Sequence, residues 1–367
     1  MNNVDKAAII RPKMPELDSV RGIAILGVLF CHGFYWSSGL IGLSGIIRDL
    51  VNVTRLGALG VNLFFVLSGF LITGILVEMR SKPRYYPKFY FRRVVRILPA
   101  LYVLLFVLYF VPGQSRSYVL LSAFFLANIA PILHVPYTYG MLWSLAVEEH
   151  FYFVWPLAVR SFKSRTLLSV AIGVVAVSPI LQALWFRNPL PEGFGEFTWL
   201  IADGLAIGAC LALLVREPWC KRRHLLRFSV GAVAGAALLL GAGAPFGILT
   251  RRELLGAALL VSVVHLLFVG LLGLFLLAGS SRLAYLVNWR TLRFYGEISY
   301  GLYLYHWLVF LGYDAAVHHF LPTASFIGHP GLLFLRFGVV LSAATFIAYV
   351  SRWQYEQRFL ALKSRVS

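Results

Sequence analysis

Polar and apolar positions divide the 367-residue chain into long apolar runs broken by short charged segments. Apolar runs of 16 or more residues recur from residue 22 to residue 351, and no long polar stretch separates them. A helix needs about 20 apolar residues to cross the hydrocarbon of a bilayer. The pattern predicts spans over 22–38, 57–77, 97–112, 141–159, 166–185, 198–215, 228–243, 253–278, 298–313 and 331–351. The run 117–130 is weaker and reads as a re-entrant or interfacial piece. The expected fold is therefore an all-α integral membrane protein, a polytopic bundle of about ten transmembrane helices. We take residues 1–367 as one transmembrane domain with cytoplasmic tails at 1–20 and 353–367.

Composition agrees with that reading. The chain is 59% hydrophobic and 13% charged, against roughly 25% charged in soluble chains. The net charge of +18 is explained by topology rather than by nucleic acid, for no nucleic-acid-binding motif accompanies it. With both termini cytoplasmic and 117–130 not spanning, 26 of the 33 Lys and Arg residues fall in cytoplasmic segments and six outside, as the positive-inside rule requires. Arg336 is left inside the last span. Cys31, Cys210 and Cys220 fit neither a zinc site nor a disulfide framework, and no metal is expected. The polar N-terminus lacks a clear cleavage site, so the first run reads as an uncleaved span.

Ionisable residues inside spans are costly, at least ~2.5 kcal/mol for a central acid, and so mark candidate chemistry. LWSLAVEEHFYFVWP (142–156) places Glu148, Glu149 and His150 together in the fourth span. Depth follows from ~1.5 Å per helical residue. Arg21 lies at the cytoplasmic mouth of the first span, and His32 lies ~16 Å further in, in the outer half. Glu148 and Glu149, on an antiparallel span, lie ~10–12 Å below the outer surface, at a similar level. We expect the imidazole and one of the acids to share a polar chamber. Asn62, Ser68 and Asp203 add polar groups, and the ninth span carries Ser299, Tyr300 and Tyr303, with His306 near mid-depth. EMRSKPRYYPKFYFRRVVRILP (78–99) holds seven basic residues and suits phosphate groups, which the guanidinium fork binds bidentately. Pro99 is expected in the first turn of its helix.

These residues carry a family likeness. The chain resembles the acyltransferase family 3 membrane proteins through LDSVRGIAILGVLFCH with Arg21 and His32, GVNLFFVLSGFLIT, FYFRRVVRILPALY with Arg93 and Arg96, LWSLAVEEHFYFVWP and SYGLYLYH. Asp203 in ADGLAIG is a weaker match. Many relatives have an acid where Asn62 stands. Some add a soluble hydrolase-like domain after the last span; this chain ends 15 residues after Arg352, so such an activity is expected elsewhere or is not needed. The resemblance implies acyl-CoA, by default acetyl-CoA, as a cytoplasmic donor. It implies a hydroxyl of an extracytoplasmic glycan as acceptor, together with the machinery that assembles that glycan, and a bacterial inner-membrane location.

Acyl transfer needs a base for the attacking hydroxyl and a donor or cation for the oxyanion. The expected assignment makes His32 the base, polarised by Glu148 or Glu149. Arg21, Arg93 and Arg96 neutralise CoA phosphates, and Tyr303 or His306 lines the cavity or serves the oxyanion. An acyl-His or acyl-Ser68 intermediate is an alternative. The plainer readings are a packed His32, topology anchors for Arg93 and Arg96, and interhelical hydrogen bonds for Asn62, Ser68, Asp203, Ser299 and His306. His150 reads as interfacial. The rival function is a transporter or flippase using the intramembrane His and Glu residues as a proton relay.

Overall fold

Apolar runs in lipid must satisfy their backbone hydrogen bonds internally, which favours helices. A computed structural model of the chain describes residues 9–36, 45–187, 196–320 and 330–362, and among the described residues there is no β-strand. Ten helices correspond to the ten predicted spans: α1 (Pro15–Phe30), α2 (Gly60–Met79), α3 (Tyr85–Phe110), α4 (Leu142–Ser161), α5 (Ser164–Arg187), α6 (Asp203–Leu214), α7 (Arg222–Gly243), α8 (Leu254–Gly279), α9 (Ser299–Phe320) and α10 (Pro330–Val350). The described residues include seven helical segments long and apolar enough to cross a membrane. The other three are α6, with 12 residues, and α4 and α9, which carry the acids, histidines and tyrosines of the candidate site. The protein is an all-α, multi-pass membrane protein.

Several boundaries differ from the sequence reading. The run 117–130 breaks into a short helix, Arg116–Ala123, and a 3-10 segment, Ala127–Leu133. Ser115 starts the first piece by accepting a hydrogen bond from the Tyr118 N–H at 3.2 Å, and neither piece approaches spanning length. Helix α3 begins at Tyr85, because the basic segment itself is helical. Pro99 is consequently inside the helix and not in its first turn. The Tyr300 hydroxyl donates to the Ile97 carbonyl at 2.7 Å and the Tyr305 hydroxyl to Ala100 at 3.3 Å, so hydroxyls serve carbonyls close to the residue that lacks an N–H. The expected N-terminal tail is already helical from Pro15, and α10 continues through a π-turn, Ser351–Glu356, into the expected C-terminal tail. Residues 37 and 38 of the first predicted span, with 1–8 and 363–367 of the tails, lie outside the described residues.

The chain divides into two units. The first comprises residues 1–17, 62–90 and 105–289, the second 18–61, 91–104 and 290–367. Within the first, α2 and α6 cross at Gly69 and Gly208. A Cβ at Gly208 would lie 2.0 Å from the Val66 carbonyl oxygen, and one at Gly69 would lie 1.9 Å from that of Leu205. Small residues at such a crossing let the backbones approach closely. Around this pair α5 and α8 pack on α6, and α7 packs on α8. The second unit is built on α1, α9 and α10 with residues 91–104 of α3.

Candidate functional site

The second unit holds a pair of histidines. Helix α1 does not end in a regular turn but widens into a π-turn, Cys31–Tyr35, closed by the Trp36 N–H on the Cys31 carbonyl at 3.1 Å. Such turns are rare and often functional. The π-turn carries His32, which is 7% exposed, toward His306 of α9, which is fully buried. The rings are parallel within 2°, and His32 Nδ1 lies 2.8 Å from His306 Nε2. Trp36 and Trp307 stand edge-on to His32.

The protonation of this pair follows from its anchors. His306 Nδ1 lies 3.0 Å from the Leu302 carbonyl oxygen and 2.8 Å from that of Tyr303. Carbonyls only accept, so His306 Nδ1 carries the hydrogen. The neutral imidazole has one donor and one acceptor nitrogen. Its Nε2 is then an acceptor, so His32 Nδ1 must donate to it. The consequence falls on His32 Nε2, which is left with an unprotonated lone pair.

The first unit holds two carboxylate centres. Glu148 of α4 accepts from Ser68 of α2 at 3.0 Å on one oxygen and from Tyr152, one turn along α4, at 3.0 Å on the other. Each carboxyl oxygen thus meets a hydroxyl donor. Glu149 is half-buried and turned about 100° from Glu148 around the helix. The second centre lies where α6 meets α8. Asp203, in the first turn of α6 and 1% exposed, accepts from Ser262 at 2.6 Å and lies 3.0 Å from His265 Nδ1. His265 Nε2 is 2.9 Å from Asn62 Oδ1 of α2. Asp203 also gains from the positive end of its helix.

The remaining expected residues have structural partners. The Ser299 hydroxyl donates to the Gly296 carbonyl at 2.8 Å, Tyr300 bonds α3 as described, and the Tyr303 ring is tilted against His306 at 5.9 Å. His150 Nδ1 meets the Thr198 hydroxyl at 2.7 Å, and Thr198 also accepts from Asn128, which suits a bracing role. Arg21 donates to Asp18 at 2.6 Å. Arg93 is half-buried and Arg96 exposed, one turn apart on α3 and so on one face.

His32 and His306 are brought together, as are Ser68 and Glu148. His32 was expected in the outer half and His306 at mid-depth, yet they touch. Helix α9 runs on to Phe320, beyond the predicted 313. His265 was missed, although it is the sole ionisable residue in the 26 of α8 and the rule that picked out His32 applies to it equally. Among the described residues no group of three or more His, Cys, Asp or Glu side chains could hold a metal ion.

A family model for an acyltransferase domain, family 3, matches residues 14–353, running through both units. The chain belongs to acyltransferase family 3. It is similar to peptidoglycan O-acetyltransferase OatA of Listeria monocytogenes, 29% identical over 336 residues that cover 81% of this chain and 49% of the relative. YrhL of Bacillus subtilis, by name a candidate peptidoglycan O-acetyltransferase, is 29% identical over 345 residues, 81% of this chain and 48% of the relative. O-acetyltransferase OatA of Staphylococcus aureus is 26% identical over 333 residues, 80% of this chain and 50% of the relative. The chain thus spans about half the length of the curated relatives it matches. No solved structure matches it.

Proposed function

We propose that the protein is a membrane O-acetyltransferase, moving an acetyl group from cytoplasmic acetyl-CoA to a hydroxyl of an extracytoplasmic glycan. The observation that carries the proposal is the contact of His32 Nδ1 with His306 Nε2 at 2.8 Å, with two backbone carbonyls behind His306, which makes Nε2 the acceptor nitrogen of a neutral His32. We assign to His306 the orienting role that the sequence reading gave to Glu148 or Glu149, supported by the 2.8 Å contact with His32. His32 Nε2 takes the proton of the acceptor hydroxyl as its oxygen attacks the thioester carbonyl carbon. The new C–O bond forms, the C–S bond breaks, and the thiolate takes the proton back from His32 to leave as CoA. The passing imidazolium is stabilised through Nδ1–H donating to His306 Nε2.

Glu148, set between two hydroxyls, has lone pairs to accept from a sugar hydroxyl and is assigned to acceptor binding. Arg21, Arg93 and Arg96 are assigned to the CoA phosphates. The bias of 26 basic residues against six supports cytoplasmic termini, and the bacterial relatives support an inner-membrane location. The family match, continuous over 14–353, supports one acyltransferase domain. The relatives' names make peptidoglycan the first acceptor to try.

The test uses the full chain in lipid vesicles with labelled acetyl-CoA and peptidoglycan fragments. The wild type should place label on the glycan, and His32→Ala should lose transfer by at least about a hundredfold while reaching the membrane in normal amount. Transfer that survives in this variant removes His32 as the base. Flux of solute without any labelled glycan would favour the transporter.

A further inference from the structure

Arg336 is the only lysine or arginine within the predicted spans, and neither the transfer chemistry nor the charge bias accounts for it. It is 3% exposed in α10. Its Nε and Nη2 donate to the two carboxylate oxygens of Asp314 in α9 at 2.6 and 2.5 Å. Its Nη1 points elsewhere, 3.4 Å from the carbonyl oxygen of Gly33, and the guanidinium lies 4.5 Å over the Phe310 ring. Gly33 follows His32 in the π-turn. It is pressed from the same side, since a Cβ there would lie 2.3 Å from the Phe337 ring and 3.1 Å from Phe310. The last carbonyls of a helix need donors from outside its regular ladder, and here the donor is a cation tied to another helix.

We propose that Arg336 is a positioning residue for the transfer reaction: one guanidinium, held by Asp314 and Phe310, grips the Gly33 carbonyl and thereby sets the π-turn that aims His32. A bidentate fork with a spare N–H suits this task, and an ammonium cannot serve carboxylate and carbonyl with the same geometry. The proposal rests on His32 as the base.

The test is steady-state kinetics of the full chain in vesicles with labelled acetyl-CoA and peptidoglycan fragments, beside thermal unfolding of the same preparations. Arg336→Lys keeps a cation for Asp314 and should unfold near the wild-type temperature. Its kcat should fall about tenfold or more, with KM for acetyl-CoA within about twofold, as for a base held slightly out of line. Gly33→Ala moves the same carbonyl without touching the ion pair and should show the same split, and it decides the matter if the lysine variant does not fold. Asp314→Asn should lose more stability and less kcat than Arg336→Lys. Wild-type kcat in Arg336→Lys or in Gly33→Ala would overturn the proposal, as would an Asp314→Asn variant that loses as much kcat as the lysine variant. If His32→Ala is inactive while these variants turn over normally, only the positioning role falls. If His32→Ala is active, the base assignment beneath it falls first.

Discussion

The histidine pair of the second unit and the Glu148 centre of the first meet one difficulty in opposite ways. Each puts an ionisable group where water is scarce. Glu148 is given donors, Ser68 and Tyr152, one for each oxygen. His32 is given an acceptor, and that acceptor is committed by the Leu302 and Tyr303 carbonyls, so the setting favours one tautomer of a neutral ring. One centre is supplied with donors and the other with an acceptor. The difference teaches that a second imidazole, itself anchored to backbone, can orient an imidazole where no acid does.

The contrast can be broken most forcefully at His306. His306→Phe keeps the ring volume and removes the acceptor for His32 Nδ1, so the tautomer is no longer fixed. Transfer should fall roughly a hundredfold, read as kcat with labelled acetyl-CoA, and near-normal kcat would show that His32 needs no partner in α9. Glu148→Gln should cost less. One of the two hydroxyls would then face an amide N–H instead of an oxygen, and kcat/KM for the glycan should drop about tenfold, measured by varying peptidoglycan fragments at saturating acetyl-CoA. An effect confined to acetyl-CoA would move Glu148 to the donor side.

The smallest effect sharpens the comparison with a third acid, outside the spans. Glu196 accepts from the Tyr137 hydroxyl at 2.7 Å. Burial pushes it from 4.5 up to about 7, against the opposing pull of Tyr137 and Arg251. One donor and a nearby cation thus do not offset burial at this carboxyl. The folded state holds the proton more tightly than the unfolded chain, so this group's contribution to stability is greatest below pH 4.5 and is lost as pH rises through about 7. The unfolding temperature should fall across that window in the wild type and change less in Glu196→Gln. Equal slopes in the two proteins would show that other groups set the dependence.

Much of the helical plan is legible in the chain because lipid leaves apolar segments little choice. Helices α4 and α9 are legible as well, although polar residues of the candidate site dilute their apolar signal. His32, Glu148 and His306 stood out because their burial is costly wherever they point. Their pairing did not, since periodicity fixes depth along an axis only as well as the helix ends are known, and it leaves rotation open. The end of α9 was placed seven residues short, and the π-turn after Phe30 alters rotation at the residue that matters most. Arg336 was visible as an anomaly, but its partners, Asp314 and the Gly33 carbonyl, come from helices that only folding brings beside it. His265 was legible by the rule already in use and was passed over.

The crossing of α2 and α6 at Gly69 and Gly208 acts as an index stop between two sliding rods. Moving either helix by one residue along the other would drive a β-carbon into a carbonyl oxygen, so the pair has a single permitted setting. Ser68 is the immediate neighbour of Gly69, and Asn62 lies two turns away on the same rod. The aim of both side chains is therefore decided by two hydrogen atoms where other residues carry carbon, and enlarging either glycine should disturb the Glu148 and His265 centres together although it touches neither.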